Sequence, residues 1–437
     1  MQLPKAASVD SGGSSDSARS SDSARSLESA AAPGSTPGAE VDLPGNGEPL
    51  PFAGIRVLDA SQGLAGPYCG MLLGQHGADV IKLEPPEGDW SRGIGARYGS
   101  HSAIDLMANR GKRSLAIDLK KAAGLAAVQR IAADCDVVIE SFRPGVAAKL
   151  GIGYQALRRG NENLIYLSVS GFGQRGSNAA LPATDTVMQG FSGMMSLNAD
   201  GSGRPRRLGF LAVDTLTALY AFQAVSVALY GRRRGLPGRH LDVNLMQATA
   251  AFLAPKMIEA VLEGDHPTAL NVPAGVYRTS DGWIAITLSK EAQYASLCRA
   301  TDRADLQEPA SFGSFVLRAA HADLLEREFG AVLVRKTTAH WLVHLAQHGV
   351  VASRVNRVQD WLQDPFVVES AAAPEVSEPS AGTFRFPRIP GCAEPQVGEQ
   401  RYAWPGIGTE NDEVLRSFGF SGAEAQALAD AGAMGRS

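Results

Sequence analysis

The feature that most constrains this chain is an early alternation of strand, helix and strand. Ile55-Arg56-Val57-Leu58-Asp59 reads as a buried strand, followed by a turn of small residues at Gly63-Leu64-Ala65-Gly66-Pro67. Tyr68 to His76 reads as a helix with Gly77 as its stop. Asp79 to Glu84 is the next strand, closed by Pro85-Pro86. A crossover of this kind makes the two strands parallel. The pattern recurs, with a helix over Gly124 to Ala133 and strands at Val137 to Glu140 and Leu164 to Val169. These elements predict an α/β fold with an open, Rossmann-like sheet in a large domain spanning 51–255. No GxGxxG follows the first strand and no GxxxxGK[ST] occurs anywhere, so the loop that cradles phosphates in dinucleotide and NTP sites is missing.

Further on, Gly282 to Thr287 reads as a strand in a smaller second domain, 256–372, with helices through about Glu369. Pro and Gly density rises between Pro374 and Pro405, which reads as a return linker, and Asn411 to Leu428 reads as helical. The segment 373–437 is therefore predicted to pack back on the large domain. The first fifty residues differ from everything after them. Ser-Asp-Ser-Ala-Arg-Ser occurs twice in succession, from Ser15 and from Ser21, in a stretch poor in large apolar side chains. Such a segment cannot bury enough surface to order itself, so 1–50 is expected to be a disordered tail or the product of an early start codon. It lacks the apolar segment of a secretory signal and is too acidic for a transit peptide.

Charge excludes several partners. The net charge of -4 offers no overall basic field for nucleic acid or an anionic membrane, and clusters such as Arg232-Arg233-Arg234 are local. The four cysteines, Cys69, Cys135, Cys298 and Cys392, form no CxxC pair and fit neither a zinc site nor a disulfide scaffold. Reduced, buried thiols in a cytoplasmic protein are the expectation. His340, His344 and His348 recur every four residues along one helix face, where a zinc pair is conceivable. No acidic partner motif accompanies them, so an exposed stripe and no metal are expected. Leu211 to Tyr230 has the length of a membrane span, but it contains Asp214, Thr215, Thr217, Gln223 and Ser226 and reads as a buried core helix. Asp214, at the head of that helix, is either a cap or a reactive buried group. The free N–H groups of a helix N-terminus there could stabilise a carboxylate or a developing oxyanion.

Several stretches, taken in order, resemble one enzyme family. They are Gly54-Ile55-Arg56-Val57-Leu58-Asp59 with Ala65-Gly66-Pro67, and Gly77-Ala78-Asp79-Val80-Ile81-Lys82-Leu83-Glu84-Pro85 with Gly88-Asp89 and Arg92. Asn109-Arg110-Gly111-Lys112-Arg113-Ser114, Glu140-Ser141-Phe142-Arg143-Pro144-Gly145 and Ser168-Val169-Ser170-Gly171-Phe172-Gly173 follow. Gly235-Leu236-Pro237-Gly238 before a strand and Glu410-Asn411-Asp412-Glu413-Val414-Leu415 complete the set. Each fragment alone is weak; their order and spacing from about Phe52 to the C-terminus resemble a family III CoA-transferase of the CaiB/BaiF group, which includes formyl-CoA and carnitine CoA-transferases.

The resemblance implies that Asp214 is the nucleophile. It implies transfer of CoA from an acyl-CoA thioester to a free acid through an aspartyl anhydride and an aspartyl-CoA thioester, with CoA as substrate and no permanently bound cofactor. It implies CoA contacts from Leu64 and Ala65, from Ile117 to Lys120, from Ser141, Phe142 and Arg143, and from Lys149. Asp185 is then a helix cap or a supporting carboxylate at the CoA pocket. It also implies an interlocked homodimer of ring-like chains. Two departures stand out. Pro85 occupies the place of an adenine-contacting arginine, and the short region Asn271 to Arg278 has no counterpart of the glycine-rich loop that shields the formyl-CoA transferase site. α-Methylacyl-CoA racemase is similar over the same length and matches Asp185 and Asp214. Where it has a catalytic histidine this chain has Thr184, which cannot act as a general base near neutral pH. A non-catalytic CoA-binding protein is the remaining alternative.

Overall fold

A computed structural model of the protein describes residues 50–264 and 268–435. The tail expected over 1–50 lies, except for Leu50, outside the described residues. The large region is built from β1 (Arg56–Asp59), α1 (Ala65–Gln75), β2 (Asp79–Glu84), α2 (Ala103–Asn109), β3 (Arg113–Ala116), α3 (Ala122–Ala133), β4 (Val137–Glu140), α4 (Val146–Lys149) and β5 (Ile165–Ser170). It continues with α5 (Asp185–Phe191), α6 (Ala212–Arg233), β6 (His240–Asn244), α7 (Leu245–Phe252) and α8 (Ala254–Leu262). All six strands pair in parallel, in the order β3-β2-β1-β4-β5-β6.

The central strands β1, β2, β4 and β5 bury residues on both sides because both sheet faces are covered there. Leu58, Ile81, Leu115 and Val138 point to one face, where α3 and the C-terminal helices supply Val128, Ile131, Val414 and Phe418. Val57, Val80, Val137 and Ile139 alternate to the other face, against Cys69 and Leu73 of α1 and Val213, Ala221 and Val225 of α6. Each such aliphatic side chain contributes about 1.5–3 kcal/mol by leaving water. α1 starts earlier than the sequence suggests because Pro67 needs no N–H in a first helical turn. It ends at Gly77, which adopts φ +101°.

A third core lies in the second region. There β7 (Gly275–Arg278), β8 (Trp283–Thr287), α9 (Ala292–Ala300), α10 (Ala322–Leu333), α11 (Thr338–Gln347) and β9 (Val351–Arg354) enclose Ile284, Ile286, Leu297, Leu325, Phe329 and Leu345. The sheet is antiparallel, in the order β9-β8-β7. The single C-terminal helix read over Asn411 to Leu428 is two helices, α12 (Asn411–Ser417) and α13 (Gly422–Asp430). Gly419 at φ +74° ends the first, and a capping box between Ser421 and Glu424 starts the second.

α6 corrects one expectation. It is long and apolar enough to cross a membrane, yet only half of its apolar window is buried. Val213, Leu216, Ala221 and Val225 face the core, while Leu219, Tyr220, Val227 and Tyr230 are exposed. The helix is amphipathic toward the sheet, with a second apolar stripe left uncovered.

Candidate active site

The chain leaves β1 toward one sheet edge and resumes at β4, beside β1, before running toward the other edge. A crevice opens at the carboxyl ends of the strands at such a reversal. The loops after β1 and β4 meet there. Ser141 Oγ accepts from the Gln62 N–H at 2.8 Å and donates to the Gln62 carbonyl at 3.1 Å. Glu140 accepts the Phe142 N–H at 2.8 Å, and burial pushes its carboxyl up to about 7. A cavity of about 130 Å³ is lined by Leu83, Pro85, Ile117, Lys120, Phe142 and Leu150 among others, with Gln62 at its wall. It adjoins a cavity of about 440 Å³ that shares Gln62 and Pro85 and adds Trp90 and Arg97.

The residues that the resemblance assigns to CoA are thus partly gathered. Ile117, Lys120 and Phe142 line one cavity, and Ser141 braces its wall through Gln62. Leu64 and Ala65 are buried where α1 begins. Arg143 and Lys149 are exposed, in the loop after β4 and at the end of α4, and are not among the lining residues.

Beneath this crevice the charges are fixed in pairs. Lys112 Nζ lies 2.7 Å from Asp59, and Lys82 Nζ lies 2.7 Å from Asp89. Arg92 reaches Glu84 at 2.9 Å and Asp105 at 3.2 Å. Burial alone would raise the Asp59 pKa, but Lys112 and Lys82 outweigh it and hold the carboxyl below the usual carboxylate range. The lattice also holds the β1 turn, since Asp89 accepts the Gly63 N–H at 3.3 Å and Lys82 donates to the Ser61 carbonyl.

The second acidic corner is different. Asp214 sits in the first turn of α6, half-buried, and its carboxylate accepts no hydrogen bond among the described residues. Burial, and then the neighbouring Asp185 carboxylate, push its pKa up to about 7. Asp185 is buried at the start of α5. Its Oδ2 accepts the Val213 N–H at 2.7 Å and the Asp214 N–H at 3.2 Å, and its Oδ1 accepts Gln189 Nε2 at 2.6 Å. It therefore caps the helix of Asp214 rather than its own, and Leu211 at the N-cap position makes no side-chain cap. Both Asp185 oxygens are engaged inside the protein, so of its two expected roles capping is the one the geometry displays.

The expectation of free N–H groups at this helix start is corrected. Ala212 N–H donates to the Phe210 carbonyl at 3.0 Å and Thr215 N–H to the Leu211 carbonyl at 3.1 Å, while Val213 and Asp214 donate to Asp185. No donor of the first turn remains for an oxyanion. Sequence reading also missed Gln189. It bonds Asp185 and, through Oε1 at 2.9 Å, the Leu208 N–H, tying the incoming loop to the cap. Its i, i+4 spacing from Asp185 on α5 was the available signal.

Thr184 makes no side-chain cap for α5. His340 stacks on His344, with ring centroids 5.7 Å apart, and His348 lies tilted against His344 at 4.6 Å. His344 Nε2 bonds the Ala300 carbonyl and His348 Nδ1 the His344 carbonyl; His340 is exposed, whereas His344 and His348 are half-buried, so the expected exposed stripe holds only at His340. The four cysteines are unpaired and buried.

Comparison with known proteins assigns this arrangement to one family. The model of CoA-transferase family III matches residues 52–411. A succinate–glutarate CoA-transferase of Agrobacterium fabrum is 32% identical over 393 residues, 86% of this chain and 96% of the relative. An acetyl-CoA:oxalate CoA-transferase of Acetobacter aceti is 33% identical over 69% of this chain and 79% of its own. The crystal structure of a CaiB/BaiF family protein from Brucella suis superimposes with a TM-score of 0.73 at 28% identity, covering 85% of this chain and all (100%) of the other.

Proposed function

This chain belongs to CoA-transferase family III, and on that premise we propose that Asp214 carries the reaction through two covalent intermediates. CoA transfer between thioesters and acids is the family's chemistry; the covalent route is our reading. The Asp214 carboxylate attacks the acyl-CoA carbonyl, forming a mixed anhydride and releasing CoA thiolate. The thiolate attacks the aspartyl carbonyl, giving an aspartyl-CoA thioester and the free first acid. An acceptor carboxylate attacks that thioester, forming a new anhydride and releasing thiolate again. Thiolate then attacks the acceptor's acyl carbon, which yields the new acyl-CoA and regenerates Asp214. Each step exchanges one activated acyl bond for another, the advantage of covalent catalysis.

The single observation that carries this reading is the state of Asp214: half-buried, unbonded, beside a second carboxylate and pushed up to about 7. A carboxylate so poorly stabilised is a stronger nucleophile than one in water. Two of the relatives are named for short acids, succinate and glutarate in one and oxalate in the other, and we extend that class to this chain. A racemase would need a second base, and Thr184 offers none. The test is incubation with a panel of acyl-CoA thioesters, quenching with borohydride and peptide mass spectrometry. Reduction at Asp214 supports the covalent route; transfer that proceeds with no modified aspartate defeats it.

We also propose that Leu64, Ala65, Ile117, Lys120, Ser141, Phe142, Arg143 and Lys149 contact CoA, as the family resemblance implies; Ile117, Lys120 and Phe142 line the crevice cavity and Ser141 braces its wall. An interlocked homodimer is proposed from the apolar surface left open. α8 has no buried residue at all, and Phe252, Met257, Ile258, Val261 and Leu262 join Val227 and Tyr230 of α6 in exposure. A stable monomer in sedimentation at micromolar concentration would remove that proposal. The four unpaired thiols support a cytoplasmic setting.

A further inference from the structure

Asp214 and Asp185 make a corner that repels its own substrates, because every acceptor arrives as an anion. Something cationic must offset that repulsion without joining the corner as a salt bridge. The loop leading into α6 carries Arg204, Arg206 and Arg207. Resting on the family reading of Asp214, we infer that Arg207 holds the second carboxylate of a dicarboxylic acid while the first reacts at Asp214.

Four observations support the assignment. First, the loop is anchored on both sides of Arg207. The Arg206 N–H donates to the Met195 carbonyl at 3.2 Å and Asn198 Nδ2 to the Arg206 carbonyl at 3.2 Å, while the Leu208 N–H donates to Gln189 Oε1 at 2.9 Å. Second, Gln189 joins that backbone to the Asp185 carboxylate, which in turn bonds the Asp214 N–H. Two side chains therefore link the residue after Arg207 to the nucleophile. Third, Arg206 is drawn toward Asp200 at 3.7 Å, whereas Arg207 is exposed and has no carboxylate partner among the described residues. Fourth, no N–H of the first turn of α6 is free to bind an anion. A planar guanidinium on a fixed backbone suits a carboxylate, which it can bind through two parallel hydrogen bonds.

The test compares two acceptors of equal chain length, succinate and butyrate, with one productive acyl-CoA donor and the full chain. The wild type should transfer to succinate with the higher kcat/KM. Arg207→Gln should lower kcat/KM for succinate by about tenfold to hundredfold, mostly through KM, and that for butyrate by less than about threefold. Arg207→Lys, which keeps the charge without the fork, should fall between them for succinate and guards against loss of folding in the first variant. Equal losses with both acids would overturn the inference, since Arg207 would then serve CoA or the loop's structure. So would a wild type that prefers butyrate. Labelling of Asp214 is measured on the same samples. If Asp214 labels and the succinate preference survives Arg207→Gln, only the arginine assignment fails. If transfer proceeds without labelling, the covalent reading fails separately.

Discussion

Two acidic corners of this molecule are built on opposite terms. Under the crevice, Asp59, Glu84, Asp89 and Asp105 each face a lysine or arginine within 3.2 Å, and nearly all of these side chains are hidden from water. At the head of α6, Asp185 and Asp214 face each other, and no described lysine or arginine forms a salt bridge with either. Burying an ion costs several kcal/mol, and the first corner offsets that cost with opposite charge and dense hydrogen bonding. The second leaves part of it uncompensated. A fold that pairs its buried charges in one place and withholds the pairing in another marks the second as the reactive site.

Removing a charge should therefore have opposite consequences in the two corners. Asp214→Asn should lower CoA transfer by at least about a thousandfold, measured as steady-state turnover, because the covalent route has no other nucleophile. Its stability should move the other way. The Asp214 pKa is raised from 3.8 to about 7, so the native state holds a proton that the unfolded chain releases. Stability present below the ordinary carboxylate pKa is lost as pH rises toward 7 and stays lost above it. At pH 8 the asparagine variant should be about 2–4 kcal/mol more stable than the wild type in urea titration. Lys112→Met should do the reverse, destabilising by about 3–5 kcal/mol at pH 6, below the value of about 8 to which burial depresses Lys112, because Asp59 is left buried and charged. A urea midpoint unchanged by that substitution would mean that the paired corner does not hold the fold. The lattice is also sterically closed. A Cβ on Gly70 would stand 2.7 Å from Asp59 Oδ2, whose carboxylate Lys112 and Ser61 keep in place. Gly70→Ala should cost about 1–3 kcal/mol, read in the same titration.

The contrast was only half visible in the sequence. The parallel sheet was legible because β1, β2, β4 and β5 carry apolar runs long enough to be buried on both faces. Short strands without that signature were not. β7 and β9 are mostly exposed, and β3 opens on Arg113 and Ser114, whose polar groups find partners only in the fold. Asp214 could be located from the apolar run it introduces. Its neighbour's role could not, because Asp185 caps a helix twenty-eight residues downstream, at Val213, and no local pattern encodes that hydrogen bond. The same limit applies to Lys112 and Asp59, fifty-three residues apart. Tertiary pairing, unlike periodicity, leaves no repeat to read.

The finest prediction concerns how Asp185 acts on Asp214. Two effects of the cap can be separated by substitution. Asparagine at 185 keeps an oxygen that can accept the Val213 and Asp214 N–H groups but removes the negative charge. The wild-type kcat/KM should rise with pH along a limb near 7, where the Asp214 carboxylate becomes ionised and able to attack. In Asp185→Asn the like-charge contribution is gone while burial remains, so the limb should move to lower pH. At pH 6 only about a tenth of a group titrating near 7 is ionised, so activity at that pH, relative to its own plateau, should gain up to about tenfold. Asp185→Ala should shift the limb likewise and also lose about 1 kcal/mol of stability with the cap. Glu140 is pushed up to about 7 as well, by burial, and Glu140→Gln supplies the control. If the limb stays in place in Asp185→Asn and disappears in Glu140→Gln, the titrating group is at the loop after β4, and the unpaired corner at α6 does not govern the reaction's pH dependence.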